Sequence, residues 1–410
     1  MVQFEMKPSS YEMWSADDAA ALILRTVPTL EAETLRWTKA QGRILAEDAR
    51  APGDLPALPT STVDGYAVRA EDGAADRTWL AELTAGRVYD GDIGPGQALR
   101  IMTGAPVPRG ADAVVMVEDT ELDGERVRIL RPPRPGQNVT PVGADMAAGE
   151  VVLRAGDRLG APEVGLLAMI GRTSVRVTRR PRVAILSTGD ELVEPDEPLR
   201  PGVIRDSNRY ALAAAVREAG GEPLLLGVAR DDPAEQRRLI VTGLESADVL
   251  LTSGGVSVGS RDLIKPILSE LGTIHFGRIA FKPGKPLTFA TVGRSVAFGL
   301  PGFPVSSLVT FEVFVRPALL AMQRARQVQR PRVQARLAHR VGRAIDRTEY
   351  QRAVLRWSGG GLMVATTGLQ TSSRLLSLVG SNSLVKIPPG EDDYQEGDLV
   401  ETLVIGQIEE

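Results

Sequence analysis

Between residues 181 and 325, strand signals and helix signals alternate, and this alternation restricts the fold more than any other feature of the chain. Val183–Leu186, Leu224–Val228 and Val249–Thr252 are short apolar runs. Helices are predicted over Tyr210–Ala219, Pro233–Leu244, Asp262–Leu271 and Pro304–Met322. Local signals mark their ends. Asn208 is expected to cap the first helix, which stops at Gly220-Gly221. Asp231, Asp232 and Pro233 open the second, and Gly272 ends the third. Strand, helix and returning strand build a parallel sheet. The expected centre is therefore a doubly wound α/β domain, whose ligands gather at the carboxyl ends of its strands.

The flanks read differently. Residues 11–46 have helical composition, with Ser15 as N-cap and Asp17 and Asp18 in the first turn. A Pro-rich connection follows at 50–60. Trp79–Leu83, Ala98–Met102, Ala113–Val117 and Val127–Leu130 are strand-like and punctuated by Pro, Gly and Asp. Helical composition returns at Ala161–Gly171, and short strand-like runs resume beyond 330. The predicted domains are an elongated helical and linker module (1–50 with 141–180), a β-rich domain (51–140), the α/β domain (181–328) and a C-terminal β-barrel or sandwich (329–410). At 410 residues, several domains are expected.

Composition removes several functions. The chain has no cysteine, which excludes disulfides, Cys-zinc sites, iron–sulfur clusters and thiol catalysis. Two histidines exclude a His-rich metal site, so a bound metal must be held mainly by oxygen, which favours Mg²⁺. Net charge is −4, which argues against nucleic acid or an acidic membrane as partner. MVQFEMKPSS has no apolar signal-peptide core, and the uncharged run Ser295–Phe311 is broken by Gly and Pro, so a cytoplasmic protein without a membrane span is expected.

Three loops stand out: Thr252-Ser-Gly-Gly-Val-Ser-Val-Gly259, Lys282-Pro-Gly-Lys-Pro286 and Gly299-Leu-Pro-Gly302. Ser253, Gly254, Gly255 and Ser257 form a turn ahead of a helix that can aim N–H groups at an anion. It is neither the GxGxxG fingerprint nor a Walker loop, and a plain strand-to-helix connection would look similar. The chain has only six lysines, and Lys282 and Lys285 bracket one Pro-Gly, which stiffens the loop and fixes two compact charges. Carboxylates recur at strand-to-helix turns: Asp190, Glu191, Asp206, Asp231, Asp232 and Asp262. Any one of them can be a helix cap. Together with the basic loops they suit a polyanionic substrate bound with Mg²⁺.

These segments, with Asp64-Gly-Tyr-Ala67, Arg100–Glu118 and Ser187–Leu192, resemble the molybdopterin molybdenumtransferase family along nearly the whole chain. The homologous module of gephyrin belongs to the same family. The resemblance implies insertion of molybdate into adenylylated molybdopterin, with Mg²⁺ and release of AMP. It implies functional roles for Asp64, Thr103 and Asp145 in the β-rich half. In the α/β half it implies roles for Glu191, Asp231, Asp262, Lys282, Lys285, Arg278, Pro301 and Pro304, with Glu191, Asp231 and Asp262 toward the metal. Arg352 and Ser372 or Ser373 would reach in from the C-terminal domain. It further implies an elongated homodimer with its cleft between the β-rich domain of one subunit and the α/β and C-terminal domains of the other. Molybdopterin adenylyltransferase and molybdenum-enzyme apoproteins are the implied partners.

The chain departs from the family pattern at Leu58-Pro59-Thr60, Val63, Thr140-Pro141, Arg278 and Phe303. Phe303 removes the hydrogen-bonding amide of the usual Gly-Leu-Pro-Gly-Asn-Pro. Two other functions are consistent with the segments: a non-catalytic molybdopterin-binding scaffold, and the preceding adenylyltransferase. The β-rich and C-terminal domains argue against the latter. No dinucleotide fingerprint follows any predicted strand, which disfavours a nicotinamide dehydrogenase.

Overall fold

The computed structural model describes residues 11–255 and 263–410. The chain divides into two compact units: residues 1–46, 155–161 and 174–410 form one, and residues 47–154 and 162–173 the other.

In the larger unit, four parallel strands lie in the order Glu222–Ala229, Arg182–Thr188, Val249–Ser253 and Ser295–Leu300. Thr288–Val292 and Thr273–Phe276 extend the sheet antiparallel at one edge. The sheet is thus mixed rather than wholly parallel, because a tight hairpin replaces a crossover helix between the last two strands in sequence. Strand residues alternate between two cores. Val183, Ile185, Val249, Leu251, Val296 and Phe298 pack with helices Asn208–Glu218 and Pro304–Met322. Ala184, Leu186, Leu250 and Ala297 pack with helices Pro233–Ser246 and Ile264–Leu271. Burial on both faces explains why the inner strands, Arg182–Thr188, Val249–Ser253 and Ser295–Leu300, read as continuous apolar runs, whereas the edge strand Glu222–Ala229 leaves Leu225 exposed. The 304–322 helix is long and apolar enough to cross a membrane, but Val305, Val309, Phe314, Val315 and Leu319 bury it in this core.

The predicted helix over 11–46 is much shorter. It covers Ala16–Thr26, with the Ser15 hydroxyl accepting the Asp18 N–H at 3.0 Å. Pro28 cannot continue the helix, and Ala32–Arg36 instead pairs antiparallel with Ser174–Thr178. The C-terminal strands close a five-stranded barrel in the order Thr348–Ser358, Gly361–Thr366, Arg332–Leu337, Leu399–Val404 and Ser383–Ile387, the last pairing back onto the first. Ala335, Leu337, Ala353, Leu355, Val364, Val385 and Val400 fill it. Ile279–Lys282 adds to this sheet parallel to the 348–358 strand.

The smaller unit is built on a six-stranded sheet in the order Ala113–Met116, Gly65–Val68, Gln97–Ile101, Asp76–Leu83, Arg126–Ile129 and Thr120–Asp123. Tyr66, Val68, Val115 and Val127 pack on one face, and Ala67, Leu99, Ile101 and Val114 on the other.

Candidate active site

The glycine-rich turn leaves the carboxyl end of the Val249–Ser253 strand, as the periodicity predicts. Gly254 and Gly255 have φ of +91° and +64°. A Cβ on Gly254 would approach the Thr188 carbonyl oxygen to 2.9 Å, and one on Gly255 would approach the Thr188 hydroxyl to 2.9 Å. Both conformation and space therefore require glycine. The Gly254 N–H donates to the Leu300 carbonyl at 3.2 Å, which ties this turn to the neighbouring strand end. Ser257 and Asp262 lie outside the described residues.

A second brace comes from Asn208. It was expected to cap a helix, but Ser207 takes the cap position and the Asn208 amide turns inward. Its Nδ2 donates to the Ser253 hydroxyl at 2.7 Å and to the Gly302 carbonyl at 2.8 Å. One side chain thus holds both Gly-rich turns. Pro301 is buried, and Pro304 begins the helix that follows. The Val305 N–H donates to the Ser372 carbonyl at 3.1 Å, so the 369–377 loop is anchored against the start of this helix.

On the far side of the same sheet end lie the acidic turns. Asp190 Oδ1 accepts the Asp231 N–H at 3.1 Å, and Arg230 donates to the carbonyls of Asp190 and Leu192 at 3.1 and 3.0 Å. Glu191 is exposed on the same turn as Asp190, and Asp231 is half-buried. Among the described residues no three acidic or imidazole groups converge as a metal cluster. The two turns still offer hard oxygen donors, and Mg²⁺ commonly takes only one or two protein carboxylates, with water and substrate phosphate completing its shell. The donor chemistry fits.

Lys282 ends the strand Ile279–Lys282, in register with Glu349. Its Nζ is 2.7 Å from Glu349 Oε1, and Gln351 Nε2 donates to Glu349 Oε2 at 2.9 Å. Glu349 is only 5% exposed while the Lys282 side chain is half exposed, so a buried carboxylate steers a solvent-facing ammonium. The Lys285 carbonyl accepts the Ile279 N–H at 3.0 Å, which closes the loop on itself. Lys285 also helps hold the Asp346 carboxyl below its usual range, after the larger effect of the Arg347 hydrogen bond. Arg278 is half-buried and its carbonyl accepts the Trp14 N–H.

Arg352 is not presented to solvent. It is 1% exposed, and its guanidinium donates to the Ser377 hydroxyl and to the carbonyls of Leu369 and Thr371, at 3.1, 3.4 and 3.2 Å. Burial pushes its pKa down to about 10, partly opposed by Glu349. In this structure it organises the loop that carries Ser372. Sequence reasoning missed Asn208, Arg230 and Glu349. Only Asn208 gave a signal, and that signal also fitted a cap.

In the smaller unit, Asp64 immediately precedes the Gly65–Val68 strand and Thr103 follows the adjacent Gln97–Ile101 strand. A Cβ on Gly65 would collide with the Val115 carbonyl, which explains the Asp-Gly pair. Asp64 Oδ1 accepts the Thr103 N–H at 2.7 Å and its hydroxyl at 2.8 Å. These two bonds, with the field of Arg100, hold the Asp64 carboxyl below its ordinary value. Asp145 is exposed, and its N–H donates to the Leu55 carbonyl.

Three family regions match in succession. The MoeA N-terminal region (domains I and II) covers residues 14–171, the probable molybdopterin-binding domain residues 184–321, and the MoeA C-terminal region (domain IV) residues 334–405. This chain belongs to the MoeA family. It is 34% identical to the molybdopterin molybdenumtransferase of Haemophilus influenzae, over 95% of this chain and 98% of that protein. The enzyme of the same name from Nostoc is 44% identical over 75% of this chain and 74% of its own length. Gephyrin of Dictyostelium discoideum is 36% identical over 98% of this chain, which spans 63% of gephyrin. Among solved structures, a MoeA protein of Pyrococcus horikoshii superposes with a TM-score of 0.83 at 33% identity, covering 97% of this chain and all of the other. The MoeA fold therefore extends through the α/β domain and the terminal barrel alike.

Proposed function

We propose that this chain is a molybdopterin molybdenumtransferase that places molybdenum from molybdate on the dithiolene of adenylylated molybdopterin and releases AMP. The observation that carries this reading is the near end-to-end match, 34% identical, to an enzyme of that name. The geometry of the α/β domain agrees with it. A substrate with a pyrophosphate link and an incoming molybdate are both anions, so the site needs fixed positive charge and backbone donors. Lys282 and Lys285 supply the charge on a loop stiffened by Pro283 and Pro286. Gly254 and Gly255 let the turn fold tightly against Thr188, where a Cβ would clash, and so keep it compact at the strand end where a phosphate would bind. Glu349 fixes the direction of Lys282 before substrate arrives, which lowers the entropy lost on binding.

Mg²⁺, when bound, neutralises phosphate charge and polarises the scissile link. Glu191 and Asp231, with Asp262, are the residues that would hold it. Asp64, Thr103 and Asp145 serve the same reaction from the β-rich unit. The working form is a cytoplasmic homodimer in which those residues come from one subunit and Lys282 from the other. Molybdopterin adenylyltransferase delivers the substrate, and molybdenum-enzyme apoproteins accept the product.

The test is AMP release from adenylylated molybdopterin with molybdate and Mg²⁺ each present or withheld. Release that needs both is expected. Phe303 favours a second reading, a molybdopterin-binding scaffold without turnover. Binding without AMP release, where the Haemophilus enzyme turns over, would establish that reading instead.

A further inference from the structure

Phe303 occupies the N-cap position of the Pro304 helix, where Ser, Thr, Asp or Asn would satisfy a backbone N–H and Phe cannot. Its side chain makes no cap hydrogen bond, the residue is 61% exposed, and its ring forms no aromatic pair among the described residues. Neither helix stability nor core packing accounts for an aromatic there. The backbone around it, by contrast, is tightly fixed. The Gly302 carbonyl is held by Asn208, Pro304 restricts φ on the other side, and the Phe303 carbonyl accepts the Ser307 N–H at 2.9 Å. A Cβ placed on Gly302 would lie 3.6 Å from the Gly254 α-carbon, so the turn that carries Phe303 adjoins the glycine cradle.

We infer that Phe303 is a stacking platform for a flat heteroaromatic ring of the phosphate-linked substrate, and so a specificity-determining residue of this chain. The inference rests on the transferase reading for the identity of that ring. Because the Phe303 turn adjoins the Gly254 turn, a ligand whose phosphates bind there can set its ring against an exposed aromatic on a fixed backbone with little loss of side-chain freedom. Adenine and pterin share the required chemistry. The side chain adds ring affinity and contributes no charge or proton to the reaction.

The full-length chain and its Phe303→Ala and Phe303→Trp variants are titrated by calorimetry with AMP, pterin-6-carboxylate and ribose 5-phosphate. Phe303→Ala is expected to weaken binding of one ring ligand about tenfold, in the range of a single base–aromatic stack. Phe303→Trp restores it, and ribose 5-phosphate binds all three proteins alike. Loss for AMP alone assigns adenine, and loss for the pterin alone assigns pterin. In turnover, Phe303→Ala raises KM for adenylylated molybdopterin by the same factor and leaves kcat within about twofold. Ring ligands that bind the wild type and Phe303→Ala equally would overturn the inference, even in an active enzyme. Failure of the wild type to release AMP would overturn the transferase reading, while the binding titrations would still decide the platform.

Discussion

Replacing Asn208 with alanine removes the two side-chain hydrogen bonds by which it braces the glycine-rich turns, at 2.7 Å to Ser253 and 2.8 Å to Gly302, and leaves the Gly254 N–H bond to the Leu300 carbonyl in place. A carbonyl can only accept, so the group facing Gly302 has to be the Asn208 N–H. Each such bond contributes about 0.5–1.5 kcal/mol net, and together they contribute about 1–3 kcal/mol. The two losses are unequal. Gly302 is exposed and its carbonyl can regain water, whereas Ser253 is 3% exposed and its hydroxyl loses a partner that water cannot readily replace. If that energy keeps the turns in their substrate-ready positions, Asn208→Ala lowers kcat/KM for AMP release by roughly 5- to 150-fold, at about 1.4 kcal/mol per tenfold. Asn208→Asp, of nearly the same shape, should be worse. It offers no N–H to Gly302 and brings a negative charge to the site proposed to bind anions. The assay is steady-state AMP release, run beside a urea unfolding curve that confirms each variant is folded. An Asp variant as active as wild type, or an Ala variant with unchanged kcat/KM, would refute the bracing role.

Two further outcomes are expected. Lys282→Ala takes from the buried Glu349 its ion pair, leaving the Gln351 hydrogen bond and the more distant fields of Arg347 and Arg352, and should destabilise the protein by about 1–3 kcal/mol in urea. Adding Glu349→Gln should recover most of that stability and none of the AMP release, and a double variant no more stable than Lys282→Ala would contradict the pairing. The Asp64 carboxyl is lowered first by the Thr103 backbone N–H and then by its hydroxyl, so its contribution to stability is present above the ordinary carboxylate value near 3.8 and is lost as pH falls below it. Thr103→Ala removes the second bond only, and carbon NMR of the Asp64 carboxyl should show its midpoint moving partway back up. An unmoved midpoint would show that the hydroxyl bond does not form in solution.

Whatever was local in cause was legible in the sequence. Apolar runs buried on both faces announce the parallel strands, Ser15 announces its own helix start, and paired glycines at 254 and 255 announce a turn no other residue could make. The short helix at 16–26 was overestimated because residues 30–36 have acceptable helix composition, and only pairing with 174–178 draws them into a strand. Asn208 was visible, but its local role as a cap and its distant role as a brace use the same amide, and the chain around it cannot say which wins. The remaining pieces of the site depend on partners far apart in sequence. Asn208 reaches Gly302 across 94 positions and Lys282 reaches Glu349 across 67. Those meetings follow from strand order and register, which are fixed by how the sheet and the barrel pack. The sequence alone therefore determined which residues could bind an anion, and the tertiary structure decided which of them are aimed, braced or buried.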